Sequence, residues 1–160
     1  MTQIHIRKAV TADLPTLLKF EQNLIDAERP FEPNFIDEMF VYYDLDELIK
    51  SQNSVLLVAE LNKQLLGSGY ARIEPSKSCL IHQQHAYLGF IYVDPSARGQ
   101  SISSVLIDKL MQWSKSQGVT ELSLKVYADN TAAIRVYEKI GFSKQHLLME
   151  MSLADPSSKD

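Results

Sequence analysis

Between residues 54 and 93 the hydrophobic period of the chain becomes that of β-structure, and this limits the folds open to it. "SVLLVAEL" and "KQLLGSGYARIE" each read as a strand, and the "NKQ" between them reads as a hairpin turn. "HAYLGFIYV" (85–93) is a third run, rich in aromatic and β-branched residues. It is apolar on both faces, which suits a central strand covered on both sides. Gly89 inside it marks a bulge or a splay.

Helical patterns flank these strands. "QIHIRK" (3–8) alternates as a first strand. "TADLPTLLKFEQNLIDAE" then puts Leu14, Leu17, Leu18, Leu24 and Ile25 on one face, with Thr11 or Asp13 as cap and Pro15 in the first turn. After a break at "RPFEP", a second helical region is expected over roughly 34–50, interrupted near "YYD". Beyond the central strand comes a helix over about 99–117, with Ile102, Val105, Leu106, Leu110 and Trp113 as its buried stripe and Gly118 as its end. "ELSLKVY" is a strand. Asn130 caps "TAAIRVYEKI", and Gly141 stops it. "FSKQHLLMEMSL" is expected to be a last strand, and "ADPSSKD" a frayed tail. The order β-α-α-β-β-β-α-β-α-β predicts an α/β (α+β) fold, a mixed and mostly antiparallel sheet with helices on both faces.

Bulk properties exclude several classes. A chain of 160 residues suggests one domain, expected over 3–152 with a disordered tail at 153–160. The net charge of −4 argues against a general nucleic-acid binder, which needs a basic face. No apolar run reaches the roughly 18 residues of a membrane span. The opening "MTQIHIRKAV" lacks an apolar signal core, and the single cysteine, Cys79, has no partner for an internal disulfide. A cytoplasmic location is therefore expected. His82 has no cysteine or paired histidine at ligand spacing, so no metal is expected.

"VDPSARGQSISS" (93–104) carries the first chemical signal. A strand ends, a basic residue and a glycine follow at Arg98 and Gly99, and small hydroxyl residues stand where a helix begins. A helix start exposes up to about four unpaired N–H groups and a partial positive charge, and phosphates bind there. Close approach needs small side chains, which Gly99, Ser101 and Ser103 supply. Taken alone, the stretch reads first as an ordinary strand–turn–helix joint. Neither a GxxxxGK[ST] loop nor a GxGxxG loop is present.

A second stretch about thirty residues further on changes that reading. "VDPSARGQSISSVLIDKL" and "NTAAIRVYEKIGF" together resemble the two cofactor motifs of the GNAT superfamily of acetyl-CoA-dependent N-acetyltransferases. The first resembles Gln/Arg-x-x-Gly-x-Gly/Ala and reads Arg98, Gly99, Gln100, Ser101, Ile102, Ser103, followed by Ser104. The second resembles Asn-x-x-Ala-x-x-x-Tyr-x-x-x-Gly-Phe, met at Asn130, Ala133, Tyr137, Gly141 and Phe142. Serine stands at both small-residue positions of the first motif. Its Cβ restricts positive φ, while its hydroxyl can donate to a phosphate oxygen.

The resemblance implies that acetyl-CoA binds where the strand ending at Val93 splays from the strand at 121–127. Main-chain N–H groups near Ile91, Tyr92 and Val93 would hold the pantetheine and polarise the thioester carbonyl. Tyr137 is the implied acid for the departing thiolate, since a phenol of pKa near ~10 keeps its proton at pH 7. An alkylammonium of pKa near ~10.4 needs a base. Carboxylates that relatives use fall near Tyr87 and Lys125 here and are absent. His85 shares a strand face with Tyr87 and is a candidate base or water-orienting residue, beside its plainer reading as a structural histidine. Glu21, Asp26 and Glu28 border the implied acceptor site, with Glu21, Glu28 and Tyr87 as candidate acceptor contacts.

The expected activity is direct transfer of an acetyl group from acetyl-CoA to a primary amine on a small molecule or peptide. No covalent enzyme intermediate is expected, because no activated Ser or Cys stands out. A homodimer is compatible with the family, and neither nucleic acid nor membrane is an expected partner. The rival reading is a CoA-binding sensor or regulatory module without turnover.

Overall fold

The computed structural model describes residues 3–158 and divides into two compact units, Met1–Lys125 and Val126–Asp160. The expectation for the tail at 159–160 lies outside the described residues.

The first unit is built on one five-stranded sheet in the order β1-β2-β3-β4-β5. The strands are β1 (His5–Lys8), β2 (Ser54–Leu61), β3 (Gln64–Pro75), β4 (Gln84–Val93) and β5 (Leu122–Leu124). β1 through β4 pair antiparallel, and β5 joins β4 in parallel. The β2–β3 connection is a tight turn with Asn62 and Lys63 at φ 51° and 66°. Positive φ at both central residues matches the right-handed twist of the flanking strands.

Helices cover both faces. On one side α1 (Leu14–Glu28) lays Phe20 against Tyr92, ring centroids 4.7 Å apart. On the other, α3 (Ile102–Ser116) sits so close to β3 that a Cβ on Gly67 would lie 3.2 Å from Ile102 and 3.3 Å from Leu106. A short helix, α2 (Leu45–Lys50), starts at Asp44, whose side chain accepts the Glu47 N–H. The core gathers Leu17, Phe20, Leu56, Val58, Tyr70 and Phe90 between α1, α2 and the sheet.

The bulge foreseen at Gly89 is present. The β3–β4 register slips between Ser68 and Tyr70, and Phe90 takes φ 53°. Gly89 is required because a Cβ there would lie 2.6 Å from the Tyr70 ring. The extra residue alters the alternation of β4. Tyr87, Phe90 and Tyr92 therefore all point to the α1 side, as their contacts with Tyr70, Tyr43 and Phe20 show.

Five local expectations are corrected. α1 buries Leu17, Phe20, Glu21 and Ile25, while Leu18 is 44% exposed; the buried stripe is turned toward Phe20 and Glu21. Helix over 34–50 survives only as α2, because side chains of α1 claim the preceding backbone: Gln22 donates to the Phe40 carbonyl and Glu21 accepts the Tyr43 N–H. α3 buries Ile107 and Ser114 where Val105 and Trp113 were expected; Val105 is exposed and Trp113 half-buried, a small rotation of the same stripe. The strand at 121–127 shortens to β5, three residues long. The last strand over 142–153 is absent, and Leu147, Leu148, Met149, Met151 and Leu153 are exposed. An alternating pattern yields a strand only where a ladder partner supports it.

The second unit holds α4 (Thr131–Ile140), capped by Asn130, whose side chain accepts the Ala133 N–H at 3.3 Å. Gly141 at φ 127° ends it. The Tyr137 and Phe142 rings lie 6.1 Å apart. A one-turn helix follows at Pro156–Ser158.

Candidate active site

The first unit opens a cleft of about 520 Å³ between the second half of α1 and the end of β4. Ile91, Tyr92 and Val93 form one wall, Asn23, Leu24 and Asp26 the other, and Arg98 stands at the rim. Four residues chosen from the sequence as cofactor contacts thus meet in one place. The opening exists because β5 pairs with β4 only from Ala86 to Leu88, which leaves Gly89–Val93 without a β5 partner. Tyr92 is held in its wall by Phe20 and by a 3.1 Å hydrogen bond from the Asn23 amide to its hydroxyl. The buried Ser68 hydroxyl donates to the Phe90 carbonyl at 3.0 Å and fixes the bulge from beneath.

The turn after β4 is shaped by Asp94. Its carboxylate accepts the Ser96 hydroxyl at 2.6 Å and the Ser96 N–H at 2.9 Å, and these bonds hold it below the usual carboxylate range. Gly99 then takes φ 83° and Ser101 φ 58°. Nothing stands within 4 Å of a Cβ built on Gly99, so its requirement is conformational. Ser101, the N-cap of α3, makes no side-chain cap bond, and its carbonyl accepts the Val105 N–H at 3.1 Å. The N–H groups of Ile102, Ser103 and Ser104 precede that bond and belong to the open first turn of the helix, and Gln100 lies in the loop before it. Left-handed backbone at residues 99 and 101 turns the chain into the helix start, whose open amides favour an anion. The serine at position 101 accepts this conformation despite its Cβ.

The acceptor candidates separate. Glu21 is fully buried, with Oε2 taking the Tyr43 N–H at 3.0 Å and Oε1 without a partner; burial pushes its carboxyl up. It therefore lies beneath the surface that a substrate would meet. Glu28 is half-buried, accepts the Tyr42 hydroxyl at 2.9 Å and is also shifted up by burial. Tyr87 lies opposite Arg72 of β3, its ring 6.3 Å from Tyr70. Burial raises the phenols of Tyr43, Tyr70 and Tyr87, with Tyr70 pushed up to about 12. These hydroxyls stay protonated and act only as neutral hydrogen-bonding groups.

His85 lies at the outer end of β4, seven residues before Tyr92 along the strand, which amounts to about 20 Å in extended chain. Its Nε2 is 3.4 Å from Glu74 Oε2, and its Nδ1 is 3.0 Å from the Ser76 hydroxyl, which also meets His82 Nδ1 at 2.8 Å. The sequence gives His82 no partner at ligand spacing, and the hairpin gives it a hydrogen-bond partner in Ser76. Asn130, Ala133 and Tyr137 all lie on α4 or its cap in the second unit. Among the described residues, no group of three or more His, Cys, Asp or Glu side chains could hold a metal ion, and no helix is long and apolar enough to cross a membrane.

Comparison with known proteins bears on the family and the fold. The model of the acetyltransferase (GNAT) family matches residues 21–142. An uncharacterised N-acetyltransferase of Methanocaldococcus jannaschii is 28% identical over 107 residues, 63% of this chain and 44% of its own length. An acetyltransferase of Yersinia pestis is 28% identical over 106 residues, 66% of this chain and 70% of its own. The crystal structure of a predicted acetyltransferase from Clostridium acetobutylicum with acetyl-CoA shares the fold at TM-score 0.74 and 20% identity, covering 94% of this chain and 97% of that one. With three-quarters of its length matched by one family model, the chain belongs to the GNAT acetyltransferase family, and its class is that of an acyltransferase.

Proposed function

We propose that the protein transfers the acetyl group of acetyl-CoA directly to a primary amine on a small molecule or peptide. The observation that carries this reading is the continuity of the cleft beside Ile91–Val93 with the turn that leads into the open amides of α3. An apolar trough ending in a cradle for a diphosphate fits a thioester carrier with a long arm. Acetyl-CoA supplies an acyl group already activated as a thioester.

The remaining work falls to the chain. N–H groups of β4 near Ile91, on the stretch that β5 does not reach, are the candidate donors to the acyl oxygen, and preorganised donors favour the charge that develops on it. Arg98, Gly99, Gln100, Ser101, Ile102, Ser103 and Ser104 hold the phosphates, chiefly through main-chain N–H groups. Tyr137 has the chemistry of the acid, since its phenol keeps a proton at neutral pH and can release it to a departing sulfur. Glu28 and Tyr87 offer a carboxylate and a hydroxyl to a cationic acceptor, and Glu21 holds the Tyr43 backbone beside them. Incubation with acetyl-CoA and a panel of primary amines, read as free thiol released, tests the reading. Amine-dependent release is expected; none with any amine overturns the transfer.

A sensor that binds CoA without turnover is the second reading. It is favoured by the positive φ of Ser101 and by the absence of a carboxylate at Tyr87 and at Lys125. Saturable CoA binding without thiol release across the panel identifies it.

A further inference from the structure

Away from the cleft, the outer end of the β3–β4 hairpin assembles a second reactive group. The register places Glu74 directly opposite His85. Side chains two apart share a strand face, so Arg72, Glu74 and Ser76 line up along one edge of this patch. The Ser76 N–H donates to the Gln83 carbonyl at 2.8 Å, which carries the pairing one step beyond β3 and sets the hydroxyl beside His85. The turn then returns His82 to the other side of that hydroxyl.

One assignment of protons orders these contacts for activation of the hydroxyl. Arg72 grips Glu74 Oε1 through Nε at 3.0 Å and Nη2 at 2.7 Å, which orients the carboxylate. Glu74 Oε2 faces His85 Nε2 at 3.4 Å and favours a proton on that nitrogen. This tautomer leaves His85 Nδ1 with a lone pair, and the Ser76 hydroxyl donates to it at 3.0 Å. His82 Nδ1–H donates to the Ser76 oxygen at 2.8 Å. In this assignment donation runs His82 → Ser76 → His85, and Glu74 faces the far side of the His85 ring. A hydroxyl in reach of a base, with that base oriented by a carboxylate, is the arrangement that activates a serine nucleophile. Ser76 and His85 are both partly exposed, so a small acyl donor has access. Among the described residues the N–H groups of Lys77 and Ser78, next in the chain, have no hydrogen-bond partner, and they are the candidate donors to an acyl oxygen.

We propose that Ser76 is an activated nucleophile that takes an acyl group from a small activated ester or thioester, at a site separate from the cleft. Ser76 Oγ bonds to the acyl carbon and its proton passes to His85 Nδ1. The bond from the acyl carbon to the leaving oxygen or sulfur breaks, and the leaving group departs with its electron pair and takes up that proton. Glu74 holds the transient imidazolium through Nε2. His82 donates to Oγ in the resting state and swings off as the ester forms.

The probe is p-nitrophenyl acetate, which carries no CoA moiety, so the result is independent of the acetyl-CoA reading. The intact chain is expected to release p-nitrophenolate in a burst and to gain the mass of one acetyl group on the peptide containing Ser76. Ser76→Ala abolishes that label. His85→Asn, which keeps the hydroxyl, slows labelling of Ser76 by about a hundredfold, the scale of a lost general base. Thermal melts of both variants establish that they are folded. A label confined to lysines, or labelling of Ser76 undiminished in His85→Asn, overturns the proposal.

Discussion

Glu21 of α1 accepts the Tyr43 main-chain N–H at 3.0 Å from a fully buried position, so one helix side chain fixes the path of the segment that precedes α2. Burial raises its carboxyl above the ordinary 4.5. The folded protein therefore binds this proton more tightly than the unfolded chain, and ionisation works against folding. The contribution is fully present below pH 4.5 and is lost as pH rises through the folded value. Urea midpoints measured from pH 4 upward are expected to carry a falling component that Glu21→Gln removes. Glu21→Ala, which strands the Tyr43 N–H and leaves a void, is expected to cost about 2 kcal/mol.

Ser101 at φ 58° carries a backbone cost that glycine avoids. Ser101→Gly exchanges a left-handed penalty of about 1 kcal/mol for the greater entropy of glycine, with a net gain of roughly 0.5 kcal/mol. Ser101→Val, β-branched in the same conformation, is expected to lose about 1 kcal/mol or more. Denaturation midpoints of the pair decide this; a Val variant as stable as wild type would show that the turn does not need positive φ at this position.

Ser101→Glu tests the cradle. A carboxylate at a helix start is mildly favourable for the helix, so the fold should persist. The same charge repels a diphosphate, and CoA affinity by calorimetry is expected to fall about tenfold, or 1.4 kcal/mol. Unaltered affinity removes the phosphates from this loop.

Tyr137→Phe deletes one hydroxyl and keeps the ring that faces Phe142. Turnover with the best amine of the panel is expected to fall by about a hundredfold while CoA affinity stays near wild type. Equal turnover in the two proteins takes Tyr137 out of the chemistry.

Gly89→Ala tests the bulge. The new Cβ would lie 2.6 Å from the Tyr70 ring, so either the ring or the strand must move. A stability loss of about 1–3 kcal/mol is expected, with an unchanged denaturant slope.

How far each of these sites was legible depends on the range of its interactions. The bulge was readable because a glycine inside an apolar strand has few other uses, and Tyr70 shows what it makes room for. Arg98, Gly99 and Ser101 were readable because a strand, a turn and a helix start lie in one short stretch of chain. The helix foreseen over 34–44 failed because Gln22 and Glu21, distant in sequence, bind the Phe40 carbonyl and the Tyr43 N–H. The strand foreseen over 142–153 failed because its alternation carries no information about a ladder partner.

By itself the sequence determined the local periods, the turns and both family motifs, and with them the order of elements as far as α4, since these depend on neighbours within a few residues. Only the tertiary structure decided that β4 parts from β5 after Leu88, that Glu21 is sealed in while Glu28 is not, and that Ser76 lies between two imidazoles. Each of those outcomes depends on strand register and on which helix face is buried. Register is a relation between distant segments, and a slip of one residue turns every side chain to the opposite face.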